Sequence, residues 1–246
     1  MKKLKTLIIN NPFLNFLIYR PYYFFFTIRP QYTKSMGKLS KMGVKYGTDK
    51  FDKWHTFQNL TYLDVYQKYF QPLLHQKINI LEIGVKGGNS LRLWKNYFKN
   101  AKVYGLDINP ECIKNNENRI KVFIGSQNDA VVLKEMVDEV GNIDIIIDDG
   151  SHINELTIFS FEFLFPFLKK GGIYVIEDLS TSYQDLNKVI DLWDDELHAN
   201  KRHGIDLNNK REAIEAFFLK IVRDIDFKNG KYTSIHFWSQ LAIILK

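Results

Sequence analysis

The sequence predicts an α/β fold built on a mostly parallel seven-stranded sheet that ends in an antiparallel hairpin. Three observations predict it. From residue 78 onward, apolar runs of strand length alternate with amphipathic helical stretches, the pattern of a parallel sheet covered by helices. One run, Ile145, Ile146 and Ile147, has no polar alternation, as in a strand buried on both faces. Finally, "KYTSIHFW" (231–238) and "QLAIILK" (240–246) are joined too tightly for a crossover helix, so they must pair antiparallel.

In chain order, residues 1–44 form a basic, aromatic arm. "KYGTDKFDKWH" (45–55) is polar and turn-like, and 60–74 carries a helical spacing of apolar residues. "INILEIG" (78–84) is the first sheet strand and 90–98 a helix; "KVYGLD" (102–107) is the second strand. Pro110 opens a helix, as a first-turn proline does, before "IKVFIG" (120–125), the third strand. Residues 129–140 read as a helix, 143–148 as the fourth strand, 155–168 as a helix and "GGIYVIED" (171–178) as the fifth strand. Residues 183–220 are charged and helical in parts, with 198–210 an exposed loop, and the hairpin closes the chain. The expected organisation is therefore the arm at 1–44 followed by one domain at 45–246.

The 246 residues, 45% hydrophobic and 15% aromatic, suffice for one packed α/β domain. The net charge of +6 is uneven: residues 1–50 hold ten Lys/Arg against one acid, while the rest holds 24 against 27. The body is thus not a nucleic-acid-binding surface. A single cysteine, Cys112, excludes an internal disulfide framework and a Cys/His zinc site, which fits the cytoplasm. The apolar stretch 7–28 is interrupted by Asn10, Asn11, Asn15, Arg20 and two prolines, so it is neither a spanning helix, which needs roughly 20 apolar residues, nor a signal peptide. The arm is expected to pack on the domain or on a partner subunit. The alternative is peripheral contact, its aromatics and cations lying flat on an anionic membrane face.

Two strand ends carry chemistry. In "LEIGVKGGNS" (81–90) the glycines fall at Gly84, Gly87 and Gly88, which is not the dinucleotide fingerprint G-x-G-x-x-G. Glycines in a first strand-to-helix turn still admit an adenosine-bearing cofactor closely. Glu82 at the strand end would repel a pyrophosphate, whereas it suits a cofactor carrying an ammonium and a sulfonium. Asp107, 23 positions after Gly84, ends the second strand, where an acid takes ribose hydroxyls. Glu82 and the terminal hairpin together favour S-adenosylmethionine (SAM) over a nicotinamide cofactor.

The second pattern is "DIIIDDGSH" (144–152), which drives a buried strand into Asp148 and Asp149 with His152 close behind. The fifth strand ends "IEDLSTSY", bringing Glu177 and Asp178 to the same sheet edge. On neighbouring strands about 4.8 Å apart, each like-charged pair costs about 3–4 kcal/mol at an effective dielectric near 20. A hard divalent cation taking oxygen ligands, Mg2+, relieves that repulsion. His152 is then placed to take a proton from a hydroxyl acidified by the cation.

These blocks, "KYGTDK", "LEIGVKGGNSLRLW", "YGLDI", "IIIDDGSHINE", "FPFLKKGGIYVIEDLSTSY" and the closing "IHFW", resemble the metal-dependent sugar O-methyltransferases of macrolide biosynthesis, typified by mycinamicin and tylosin pathway enzymes, with relatives in bacterial polysaccharide clusters. The resemblance covers about residues 45–246 and implies a Rossmann-like class I methyltransferase fold. It implies that Asp149, Glu177 and Asp178 hold magnesium and that His152 is the base, with Asp149 also at the reaction centre. It places Glu82, Gly84 and Asp107 on the cofactor, with Tyr46, Thr48, Gln127 and Asp148 near it. It implies a homo-oligomer and a sugar, sugar-nucleotide or glycan acceptor. Where family members often read GDQSD, this chain reads "GSQND" (125–129), a departure at the adenine end. The competing readings are methylation of a catechol, polyketide or phosphate-type oxygen, an NAD-dependent sugar oxidoreductase, and a non-catalytic glycan-binding protein.

Overall fold

The computed structural model describes residues 37–51, 55–57, 60–182 and 209–246. Most of the basic arm and the stretch 183–208 lie outside the described residues, so the expectations placed there concern sequence only. The chain divides into two compact units, Met1–Pro72 and Leu73–Lys246.

In the first unit, helix α1 (Lys38–Tyr46) is followed by a two-stranded ladder of β1 (Thr56–Phe57) and β2 (Leu60–Thr61), then α2 (Tyr62–Phe70). A capping box starts α2: Thr61 Oγ1 accepts from the Asp64 backbone N–H, and Asp64 accepts from that of Thr61, both at 3.1 Å. Asp64 also accepts from the Gly37 backbone N–H at 3.1 Å and the Ser40 hydroxyl at 2.7 Å. One carboxylate thus satisfies orphan donors at the starts of both helices. Residues 37–44, expected as part of the arm, therefore fold largely as helix.

The second unit is the predicted sheet. Its strands are β3 (Asn79–Ile83), β4 (Lys102–Asp107), β5 (Ile120–Ile124), β6 (Ile143–Asp148), β7 (Leu168–Ile176), β8 (Ser234–Trp238) and β9 (Leu241–Leu245), in the order β5-β4-β3-β6-β7-β9-β8. The first five pair in parallel, and β9 is antiparallel to both β7 and β8. The strand order reverses at β3, which lies between β4 and β6, and such a switch point opens a crevice at the carboxyl ends of the strands.

Among the described residues the helices are α3 (Asn89–Tyr97), α4 (Ala130–Val140), α5 (Asn154–Leu164) and α6 (Arg211–Asp226). Asp129 caps α4 through the Val131 and Val132 N–H groups. After Pro110 the chain makes only a 3-10 helix, Pro110–Asn115, capped by Asn109. The helix expected over 155–168 stops at Leu164, because Pro166 cannot donate a backbone hydrogen bond; Phe165–Phe167 is a 3-10 turn and Leu168 already begins β7. Strand β7 ends at Ile176, which leaves Glu177 and Asp178 just beyond the sheet.

An aromatic cluster locks α5 and α6 onto one sheet face. Fully buried Phe161 lies with ring centroids 4.7 Å from Tyr174, 4.8 Å from Phe165 and 4.9 Å from Phe217. Truncating such a ring costs about 3–5 kcal/mol. This packing sets the amino end of α5 beside the carboxyl ends of β6 and β7. No helix among the described residues is long and apolar enough to cross a membrane.

Candidate active site and metal centre

Strands β6 and β7 are parallel neighbours with Asp148 opposite Ile176, so the two acidic strand ends predicted to converge do leave the sheet side by side. His152 Nε2 lies 3.5 Å from an Asp178 carboxylate oxygen and 3.9 Å from one of Asp149. One ligand atom from each of the three residues lies within 4.8 Å of the other two. At that distance the two carboxylates repel by about 3.5 kcal/mol at an effective dielectric near 20. The two carboxylates, with side chains 15–24% exposed, fit a divalent cation that retains water, and the imidazole stands beside them. Glu177, expected as a third metal ligand, is 3% exposed and stands outside this cluster; its backbone N–H donates to Asp148 O at 3.0 Å.

His152 and Asp178 both adopt left-handed backbone, with φ 57° and 55°. That conformation costs a non-glycine residue roughly 1–2 kcal/mol and persists only where the surroundings impose it. The surroundings here are specific. The His152 carbonyl accepts from the Asn209 side-chain amide at 2.9 Å and from the Thr181 hydroxyl at 3.2 Å. That hydroxyl also reaches the Asp178 carbonyl at 2.9 Å.

The loop between Asp149 and His152 is held from below. Gln127 Oε1 accepts from the Ser151 backbone N–H at 2.8 Å, and Gln127 Nε2 donates to Asp148 at 3.3 Å. Asp148 is 2% exposed and accepts from Ser160 Oγ at 2.6 Å and from Tyr174 at 3.4 Å. Burial drives its carboxyl up to about 6, although the Ser160 hydrogen bond pulls the other way. Asp148 and Gln127, expected near the cofactor, are thus placed as the internal brace of the DDGSH loop.

The glycine-rich turn follows β3. Gly84 has φ 90°, and a Cβ there would lie 1.9 Å from the Asp149 carbonyl oxygen, so only glycine lets this turn and the DDGSH loop pass. Asp107 reaches across from β4: Oδ2 accepts from the Val85 and Lys86 N–H groups at 2.8 and 2.9 Å, and Oδ1 from Asn109 at 2.9 Å. Burial works to raise the Asp107 carboxyl, but the backbone donors outweigh it and hold it below the usual carboxylate range. Glu82 is fully buried and accepts from Trp94 Nε1 at 2.7 Å. Tyr46 ends α1 and Thr48 follows it, with its N–H on the Gly43 carbonyl at 3.3 Å; both belong to the first compact unit.

Sequence reasoning missed Ser160, Tyr174, Thr181 and Asn209. Ser160 and Tyr174 read as ordinary members of an amphipathic helix and a buried strand. Asn209 sat inside a stretch expected to be an exposed loop, yet it is 7% exposed. Its donor, the Asn154 backbone N–H, lies 55 residues away on another helix, so no local pattern signalled it.

No family model matches the chain. Among curated proteins it is 40% identical over 152 residues, 59% of this chain and 38% of the other, to an 8-demethyl-8-alpha-L-rhamnosyl tetracenomycin-C 2'-O-methyltransferase of Streptomyces olivaceus. It is 41% identical over 152 residues, 59% of this chain and 37% of the other, to the mycinamicin VI 2''-O-methyltransferase of Micromonospora griseorubida. Among solved structures it resembles the MycE methyltransferase from the mycinamycin biosynthetic pathway in complex with Mg and SAH, with TM-score 0.66 and 32% identity over 85% of this chain and 55% of that one. The chain thus spans about half the length of that solved relative, and its matched segment less than two fifths of the curated ones. Over the segment it shares with them, the chain is similar to O-methyltransferases acting on a rhamnosyl tetracenomycin-C and on mycinamicin VI, and it carries the class I methyltransferase fold of the Mg- and SAH-bound MycE.

Proposed function

We propose that the chain transfers the methyl group of SAM to a sugar hydroxyl in a reaction that depends on Mg2+. The observation that carries this reading is the meeting of Asp149, Asp178 and His152 at the carboxyl edge of β6 and β7, directly across Gly84 from the cofactor turn. Bound there, a divalent cation supplies Lewis acidity to an adjacent hydroxyl, and SAM supplies the electrophilic methyl group.

The chain's own groups do the rest. Asp149 and Asp178 would hold the cation. His152 Nε2, facing both carboxylates, would take the proton of the acceptor hydroxyl, and the two flanking carboxylates would stabilise the imidazolium that results. Gly84 would let the cofactor approach the backbone, Asp107 Oδ1 would address the ribose hydroxyls, and Glu82 would face the positively charged amino-acid end. Two curated relatives are named for acceptors that bear a sugar, a rhamnosyl tetracenomycin-C and an L-olivosyl-oleandolide, which supports a sugar or sugar-bearing acceptor here. We further propose action in the cytoplasm, where SAM is made, a homo-oligomeric assembly, and a contact role for the basic arm.

The test is methyl transfer from isotopically labelled SAM to a panel of nucleoside-diphosphate sugars and p-nitrophenyl glycosides, read by mass spectrometry. Labelled product on a sugar hydroxyl, abolished by EDTA and restored by Mg2+, is expected. Transfer to catechols alone, or transfer indifferent to EDTA, would overturn the reading.

A further inference from the structure

Asn209 stands apart from every motif in the sequence, yet it touches the centre of the site. It arrives from the chain entering α6, 57 residues beyond His152, and its two side-chain functions divide between two targets. Its Oδ1 accepts from the Asn154 backbone N–H at 2.8 Å, and its Nδ2 donates to the His152 carbonyl at 2.9 Å. The first contact caps α5, whose own N-cap position, Ile153, has no side-chain acceptor to offer. The second pins the backbone of a residue held at φ 57°. The Thr181 hydroxyl carries one proton for two carbonyls, those of His152 and Asp178, so the amide of Asn209 is the donor fully committed to His152. Asn209 is itself tied down, since the Asn154 side chain donates to the Lys210 carbonyl at 2.7 Å and Arg211 donates to the Leu179 carbonyl at 2.8 Å.

We propose that Asn209 is the positioning residue for His152: by bridging the amino end of α5 and the carbonyl of that left-handed residue, it fixes the imidazole against Asp149 and Asp178. The proposal rests on His152 being the working base of the methyl-transfer reading. A bond made to the backbone of a strained residue governs where its side chain points, and a displacement of about 1 Å at a reacting group can cost on the order of 10²-fold in rate.

The experiment compares Asn209→Asp with Asn209→Ala. Asp retains the acceptor that caps α5 but removes the donor to His152; Ala removes both. In Asn209→Asp, whose buried carboxylate would face the His152 carbonyl oxygen, the expected results are a lowered melting temperature, SAM affinity and acceptor KM within about twofold, and kcat lowered roughly 10- to 100-fold. In a His152→Ala background the same substitution should lower kcat no further. Independently of turnover, 15N-histidine spectra should show the His152 ring resonances shifted or broadened in Asn209→Asp and the other histidines unmoved. Wild-type kcat and an unmoved His152 signal in Asn209→Asp would overturn the proposal, as would an undiminished further loss of kcat when the substitution is made in the His152→Ala background. If the wild-type chain methylates no sugar while the His152 signal still moves, the methyltransferase reading fails and the positioning role stands.

Discussion

Replacing Gly84 with alanine tests whether the glycine-rich turn and the DDGSH loop form one mechanical unit. The new Cβ would sit 1.9 Å from the Asp149 carbonyl oxygen and 2.7 Å from its carbonyl carbon. Both are backbone atoms, so no side-chain rotation relieves the clash, and a tolerable contact requires a shift of roughly 1 Å in the loop or the turn. The backbone at φ 90° adds roughly 1–2 kcal/mol of conformational strain for a residue with a Cβ. Strain and displacement together predict a destabilisation of about 2–4 kcal/mol, or a melting temperature lower by about 5–15 °C. Because the displaced loop carries Asp149 and leads to His152, turnover should fall by about 10²-fold or more even in the folded fraction. Thermal unfolding and Mn2+ titration of Gly84→Ala check this. A variant with wild-type melting temperature and wild-type metal affinity would refute the coupling of the two loops.

Other consequences are equally open to measurement. His152→Ala should lower kcat by roughly 10²- to 10⁴-fold while SAM affinity stays within about twofold; lost SAM binding instead would place the histidine on the cofactor. The double replacement Asp149→Asn, Asp178→Asn should abolish Mn2+ binding as read by electron paramagnetic resonance, with the fold intact by circular dichroism; retained binding would contradict the metal centre. Cys112 is 2% exposed, and burial, with the nearby Asp107 charge, pushes its thiol up to about 11. A thiol so raised is thiolate in only about one part in a thousand at pH 8, so iodoacetamide should modify it more than about 100-fold more slowly than free cysteine. Rapid modification of the folded chain would show that the turn carrying Asp107 is open.

Much of this arrangement is legible in the sequence because it follows from period and punctuation. Ile145 to Ile147 announce a strand covered on both faces, and the short link between 231–238 and 240–246 forces the terminal hairpin. Asp149, His152 and Asp178 are legible because acids at the ends of buried strands have nowhere to go but the sheet's edge. What pattern does not carry is which atom each polar side chain reaches. Asp148 and Asp149 are adjacent in sequence but alternate in direction, so one braces the loop with Gln127, Ser160 and Tyr174 while the other faces the cluster. Asn209 and His152 meet only through the tertiary packing of α5 against α6, a contact no local spacing encodes. The 3-10 turn at Phe165–Phe167 shortened the expected helix because Pro166 ended it sooner than the apolar pattern did.

The most direct test of the central claim is calorimetric titration of S-adenosylhomocysteine and of NAD into the purified chain, with and without Mg2+. The account predicts micromolar binding of S-adenosylhomocysteine, no binding of NAD, and a separate Mg2+ isotherm that disappears in the Asp149→Asn, Asp178→Asn variant. Binding of NAD in place of S-adenosylhomocysteine, or no binding of either, would contradict it.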